Sequence, residues 1–195
     1  MENQQRNAIC VYGASSNRID ACYTDDARQL GRLIALSGHP LVCGGGKAGI
    51  MQAAIEGAIA MGGTAIGVLP EFMIRESWQH PELSRVIVTD GMHSRKETMA
   101  SLSQAAIACP GGCGTFEELM EIITWRQLGL FPGQVVILNT CGYYDPLLAM
   151  LSKAIEQSFM YESHAALWRV AATPAEAVKM ALEPVDTTSF PQKIH

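Results

Sequence analysis

Several things are scarce in this 195-residue chain, and each scarcity excludes a class of function. Charged residues make up only 17%, and 14 basic against 19 acidic residues leave a net charge of −5. A nucleic-acid surface needs clustered Lys and Arg to neutralise phosphates, so no nucleic-acid partner is expected. Small anionic ligands stay open, because they need one local positive pocket rather than a basic protein. No apolar run approaches the roughly 18–20 residues that cross a bilayer, and the start from Met1 to Asn7 lacks the apolar core of a secretion signal. No membrane partner and a cytoplasmic location are therefore expected. The six cysteines (Cys10, Cys22, Cys43, Cys109, Cys113, Cys141) contain no Cys-x-x-Cys pair, which favours reduced thiols over a disulfide frame. The five histidines form no His-x-x-x-His or His/Cys cluster, so no metal is expected. There is no Gly-x-x-x-x-Gly-Lys-Ser/Thr phosphate loop, no Ser or Cys visibly paired with a His base, and no Lys in a pyridoxal-phosphate setting. Covalent catalysis and an organic cofactor have no support.

What is present is alternation. Short β-rich runs (Ile9–Tyr12, Leu41–Cys43, Ala65–Leu69, Val86–Val88, Ala105–Cys109, Val135–Leu138) are separated by longer helical ones (20–37, 48–61, 95–103, 116–128, 146–159). Strands that read as unbroken apolar runs are covered on both faces, which predicts an α/β fold: a doubly wound, mainly parallel, Rossmann-like sheet sandwiched by helices. Right-handed crossovers then align the carboxyl ends of the strands along one edge, where ligands of such sheets bind. No repeat or Pro/Gly/Ser linker divides the chain, so residues 1–195 read as a single nucleotide-binding domain, with 1–7 and 184–195 peripheral or flexible.

Three glycine-bearing loops follow strands at that edge: Gly13-Ala14-Ser15-Ser16, Gly44-Gly45-Gly46-Lys47-Ala48-Gly49, and Pro110-Gly111-Gly112-Cys113-Gly114-Thr115. The second fits Gly-x-Gly-x-x-Gly and opens a helix, so a nicotinamide-dependent oxidoreductase enters as one reading, with Glu71 near the place of a ribose-binding acid. In the third, the strand-to-helix junction aims unpaired amides and a positive helix end at an anion above the sheet. Thr115 and Glu118 also match an S/T-x-x-E capping box for a helix from Phe116, a purely structural reading of the same spacing. Gly91-Met92-His93-Ser94-Arg95-Lys96 places two cations near a helix start, where the dipole disfavours them unless an anion is nearby. The ten methionines and Trp125 read as core filler. One arginine, one carboxylate and an anion-holding turn suit cleavage of a glycosidic bond through an oxocarbenium-like transition state.

The run Pro-Gly-Gly-x-Gly-Thr-x-x-Glu at 110–118, preceded by Met92-His93-Ser94-Arg95-Lys96, resembles the LOG ("Lonely Guy") family of cytokinin riboside 5′-monophosphate phosphoribohydrolases, often labelled lysine decarboxylases. The likeness extends from Val11-Tyr12-Gly13-Ala14-Ser15-Ser16 to Gly142-Tyr143-Tyr144-Asp145. It implies hydrolysis of a purine nucleoside 5′-monophosphate, such as AMP or an N6-modified AMP, to free base and ribose 5-phosphate, with no cofactor. Arg95 and Glu118 would form the catalytic pair. The phosphate would sit on Gly112, Cys113, Gly114 and Thr115, flanked by Gly111, Phe116 and Glu117. Glu76, Arg95, Lys96 and Thr124 would contact the nucleotide, as would Met92 and the loop residues Ser15, Ser16, Gly45 and Gly46. In this reading Arg95 keeps Glu118 ionised and lowers its pKa. The resemblance also implies a homodimer with the site near its interface. Two departures stand out: Cys113 replaces an aromatic residue, and Gln104 replaces the Asp of a Ser-Asp-Ala triplet. The alternative reading is a non-catalytic module resembling molybdenum-cofactor carrier proteins, which hold a phosphorylated pterin at a similar glycine edge.

Overall fold

The computed structural model describes residues 6–185; the expectation for the two ends, 1–7 and 184–195, falls mostly outside the described residues. Seven strands form one sheet in the order β4-β3-β2-β1-β5-β6-β7, every pairing parallel: β1 Ala8–Tyr12, β2 Leu41–Cys43, β3 Ala65–Pro70, β4 Arg85–Thr89, β5 Ser103–Ala108, β6 Gln134–Leu138 and β7 Arg169–Ala171. Helices α1 (Ala21–Leu36), α2 (Gly49–Ala60) and α7 (Pro174–Leu182) cover one face, through Leu30, Ile34, Ile50, Ala54 and Val178. Helices α4 (Met92–Leu102) and α5 (Cys113–Gln127) cover the other, through Met99, Leu119 and Ile122, with α6 (Asp145–Glu156) adding Leu147 and Leu148; α3 (Glu71–Arg75) is a short helix after β3.

The central strands β1, β2 and β3 are buried along their whole length, as continuous apolar sequence dictates for a sheet covered on both sides. Val86–Val88 does not follow that rule. It lies in β4, the edge strand, and Val86 and Val88 are 41% and 54% exposed because no helix among the described residues covers that face. On the same side of the sheet, over its centre, α1 and α2 approach unusually closely. A Cβ on Gly31 would lie 2.0 Å from the Ala54 carbonyl, and one on Gly57 would lie 2.1 Å from that of Arg28. Glycine within these helices is thus a requirement of the contact.

The chain runs outward from β1 through β2 and β3 to β4, then returns to place β5 on the other side of β1. The loops after β1 and β5 therefore diverge, and the crevice between them is the topological switch point where ligands of open α/β sheets bind.

Candidate functional site

A cavity of about 670 Å³ opens at that crevice. Gly13, Ala14, Ser15 and Ser16 after β1, Gly44, Gly46, Lys47 and Ala48 after β2, and Gly112, Gly114 and Thr115 after β5 form its polar walls. Arg95, Glu117 and Glu118 reach it from α4 and α5. Gly45 does not line it. With φ at +69°, Gly45 turns inward against Leu69 and Gly67, so its part is to shape the turn.

Arg95 is held from three directions. Gly91 and Ser94 exchange hydrogen bonds at the start of α4, Gly91 N–H to Ser94 Oγ at 3.2 Å and Ser94 O–H to the Gly91 carbonyl at 3.1 Å, which fixes the first helical turn. Arg95 Nε donates to the Val68 carbonyl of β3 at 3.0 Å, and Nη1 donates to Glu118 Oε1 at 3.1 Å. A Cβ on Gly44 would lie 2.0 Å from Arg95 Nη2, so the guanidinium rests directly on the Gly44 backbone. The two side chains are 7% and 11% exposed, which makes this a desolvated ion pair facing a cavity. Burial pushes the Glu118 carboxyl above the ordinary carboxylate range, and the Arg95 charge pulls it only part of the way back. The expectation that Arg95 leaves Glu118 with a lowered pKa is thus overturned: desolvation wins.

The two candidate anion loops differ in whether their amides are free. At the start of α2, the Gly49 amide donates to Asn17 Oδ1 at 2.8 Å and the Ile50 amide to the Ala14 carbonyl at 2.9 Å. A pyrophosphate would find those donors taken. The Gly-x-Gly-x-x-Gly match therefore marks a seat for Arg95 and a tight crossing of loops, since a Cβ at Gly49 would strike the Ala14 and Ser16 backbone at 2.7 Å. Glu71, the ribose-acid candidate of that reading, is exposed at the start of α3 and absent from the cavity wall. At the start of α5, by contrast, no protein acceptor among the described residues takes the amides of Cys113, Gly114 and Thr115. Positions beside Gly112 and Gly114 are open space. This is the free positive helix end that an anion needs.

The capping-box reading of Thr115 and Glu118 also fails. Helix α5 begins at Cys113 with Gly112 as its N-cap and no side-chain cap, so Thr115 and Glu118 lie inside the helix. Glu118 is turned to Arg95 instead.

Other sequence candidates scatter. Met92, Ser15, Ser16 and Gly46 line the cavity. Lys96 is buried, and its ammonium donates to Glu117 and, at 3.1 Å, to Glu121. Burial draws the Lys96 pKa down, but those two carboxylates outweigh it and leave the group above its ordinary value. Lys96 thus braces Glu117 and does not itself face the cavity. Gly111 lies behind the loop: its carbonyl accepts from Tyr143 Oη at 2.5 Å, and a Cβ there would meet Thr115 Oγ1 at 2.1 Å. Phe116 stacks on Tyr143 with centroids 6.4 Å apart, and Cys113 is exposed outside the cavity wall. Glu76, at the end of α3, and Thr124, bonded through Oγ1 to the Met120 carbonyl, are exposed and do not reach the cavity of this chain. Gln104 sits at the amino end of β5 against His39 and the Asn7 carbonyl, at the far edge of the sheet, so it does not shape the cavity.

Sequence reasoning named Met92 but missed the rest of the apolar wall. Met51, Leu69, Met73 and Trp78 line the cavity with Met92, and Trp78 is 49% exposed with its ring edge-on to Phe72 at 6.2 Å. Treating methionines as core filler hid two of them, Met51 and Met73. The signal for Trp78 was its position in the short stretch after β3, at the carboxyl edge of the sheet. Among the described residues, no group of three or more His, Cys, Asp or Glu is placed to hold a metal ion.

The chain has named relatives. The probable cytokinin riboside 5′-monophosphate phosphoribohydrolase LOGL2 of Oryza sativa subsp. japonica is 37% identical over 171 residues, 88% of this chain and 70% of that protein. Cytokinin riboside 5′-monophosphate phosphoribohydrolase LOG4 of Arabidopsis thaliana is 37% identical over 179 residues, 92% and 83% of the two chains. Among solved structures, the molybdenum cofactor binding protein of Rippkaea orientalis superimposes with a TM-score of 0.69 at 26% identity, covering 90% of this chain and 95% of that one. Residues 51–181 match the family model described as "Possible lysine decarboxylase". With its Arg95–Glu118 pair and open α5 start in one crevice, the chain belongs to this family, that of the LOG cytokinin riboside 5′-monophosphate phosphoribohydrolases.

Proposed function

We propose that this chain hydrolyses the N-glycosidic bond of purine nucleoside 5′-monophosphates, AMP or N6-modified AMP, to give free base and ribose 5-phosphate. The observation that carries this reading is the buried Arg95–Glu118 pair, 3.1 Å apart, on the wall of a cavity that also receives the unpaired amides of α5. The phosphate is gripped by the amides of Gly114 and Thr115 at the start of α5, with the furanose over Arg95 and Glu118 and the base toward Trp78, Met73 and Met92. As the C1′–N bond lengthens, positive charge grows on C1′ and the ring oxygen, and the Glu118 carboxylate beneath it stabilises that charge. A water attacks C1′. Its oxygen forms the new bond and its proton passes to the Glu118 carboxylate, while the departing base carries away the electron pair of the broken C1′–N bond and takes a proton from solvent; Glu118 then returns its proton to solvent, so one water is consumed and no net proton is gained. A carboxyl group with a raised pKa is a stronger base than an ordinary one, so burial serves this step. Arg95 contacts the ribose hydroxyls and fixes the Glu118 rotamer. Phosphate binding far from the reacting bond orients the sugar, so a free nucleoside is a far poorer substrate.

The chain acts as a single domain in a cytoplasmic homodimer. Exposed Leu128 and Leu130, beside half-buried Trp125 and exposed Thr124, support an interface on the α5 side, through which Thr124 approaches a partner's cavity. Light scattering after size exclusion gives twice the chain mass if this holds. The rival is a carrier that binds a phosphorylated pterin without chemistry, favoured by the likeness to the Rippkaea orientalis protein. Chromatography of free base after incubation with AMP, isopentenyl-AMP and adenosine separates the two. Base release from the monophosphates and not from adenosine supports the hydrolase; nucleotide binding with no base released supports the carrier.

A further inference from the structure

Two of the three exposed cysteines among the described residues, Cys22 and Cys141, stand together although they are 119 positions apart in sequence. Cys22 lies in the first turn of α1 and Cys141 in a single turn of 3₁₀ helix, Thr140–Gly142, after β6. Their sulfurs are 3.5 Å apart, with the Cys141 thiol donating to Cys22 Sγ. The pairing is enforced from both sides. Thr140 Oγ1 donates to Asp26 Oδ2 at 2.6 Å, and the Tyr23 and Tyr143 rings meet edge-on at 5.9 Å, so the residues flanking each thiol are themselves in contact. Cys141 is held at φ +53°, a left-handed conformation that a β-carbon-bearing residue adopts at a cost.

We infer that Cys22 and Cys141 form a redox-active dithiol, a modification site that a peroxide converts to an intramolecular disulfide. A disulfide needs sulfurs about 2.0 Å apart, so closure demands a shift of only ~1.5 Å from the observed separation. The step balances. One thiolate attacks a peroxide oxygen, the O–O bond breaks, and a sulfenic acid forms with loss of water; the second thiol attacks that sulfur, the S–S bond forms, the S–O bond breaks, and a second water leaves. Two thiols lose two electrons and the peroxide gains them. The bond fastens the start of α1, just after the Ser15–Ser16 loop, to the turn whose Tyr143 hydroxyl holds the Gly111 carbonyl.

The full chain, reduced and then treated with stoichiometric hydrogen peroxide, tests this. Peptide mapping is expected to find a Cys22–Cys141 cross-linked pair and a mass lower by two hydrogens, reversed by dithiothreitol. The oxidised chain melts several degrees higher, because the link closes a long loop in the unfolded state. Cys22→Ser and Cys141→Ser each abolish both changes, while Cys113→Ser, which alters the third exposed thiol, leaves them intact. Cys22 and Cys141 still open to alkylation after peroxide, sulfinic acid in place of the cross-link, or a disulfide between two copies of the chain would each overturn the inference.

Discussion

Replacing Glu118 with Gln removes one negative charge while keeping the side-chain shape and an oxygen that accepts from Arg95. At the 3.1 Å separation, the charge–charge attraction is about 5 kcal/mol in an effective dielectric of ~20. That attraction does not fully offset burial, since the Glu118 carboxyl stays above its ordinary pKa. For a group whose folded pKa is raised, the ionised form weighs against folding at neutral pH, and that penalty disappears as pH falls. Gln carries no such penalty. The variant is therefore expected to melt within a few degrees of the parent at neutral pH, and upward rather than downward. Turnover behaves differently. Loss of one preorganised electrostatic group at a developing charge removes roughly 2.7–4 kcal/mol from transition-state stabilisation, a fall of about 10²–10³ in kcat. Steady-state base release from AMP and a thermal melt on the same preparation test both halves. Nucleotide binding, measured by calorimetry, persists because the phosphate is held by α5. A kcat within about threefold of the parent would refute the catalytic role. A melting temperature lower by more than about 10 °C would show that the ion pair is structural instead.

Three further outcomes follow from the same geometry. The carboxylate form of Glu118 is lost as pH falls through its raised pKa, so the acid limb of kcat/KM has its midpoint above 4.5, and a midpoint at or below that value contradicts the burial argument. Gly112→Ala folds normally, since its Cβ meets nothing, yet raises KM for AMP about tenfold by crowding the amides; Gly111→Ala lowers the melting temperature, because its Cβ lies 2.1 Å from Thr115 Oγ1. Equal melting temperatures for the two alanine variants would refute that contrast. Tyr143→Phe leaves the Gly111 carbonyl without its 2.5 Å donor, costing about 1–2 kcal/mol in a denaturation experiment, and an unchanged midpoint would show that water replaces the hydroxyl.

The βα order, six of the seven strands and the edge that carries the site are legible in the sequence, because unbroken apolar runs such as Ile9–Tyr12 and Ala105–Ala108 bury on both faces. Arg95 and Glu118 are legible as chemistry-bearing types at suggestive positions. Less legible is whatever depends on a partner distant in sequence. Helix α5 starts at Cys113, three residues before Phe116, although Gly-Cys-Gly reads locally as a breaker. The same loss of context made Thr115–Glu118 resemble a cap and Gly44–Gly49 a dinucleotide turn. Only Arg95 lying on Gly44, and Asn17 and Ala14 satisfying the start of α2, separate those readings. Strand β7 has three residues and no period to detect. Trp78 has no periodicity to mark it as a wall residue, and only its place after β3, at the carboxyl edge of the sheet, points to the cavity.

The seating of Arg95 carries a consequence for how the molecule can be divided. The guanidinium comes from α4, rests on the loop after β2, is tied to the end of β3 and meets its carboxylate on α5. Those elements lie on both flanks of β1, so neither flank alone owns the Arg95–Glu118 pair. A chain severed between β4 and α4 would leave an empty glycine shelf in one fragment and an unsupported ion pair in the other, and chemistry would return only when the two fragments rejoined along the β1–β5 seam.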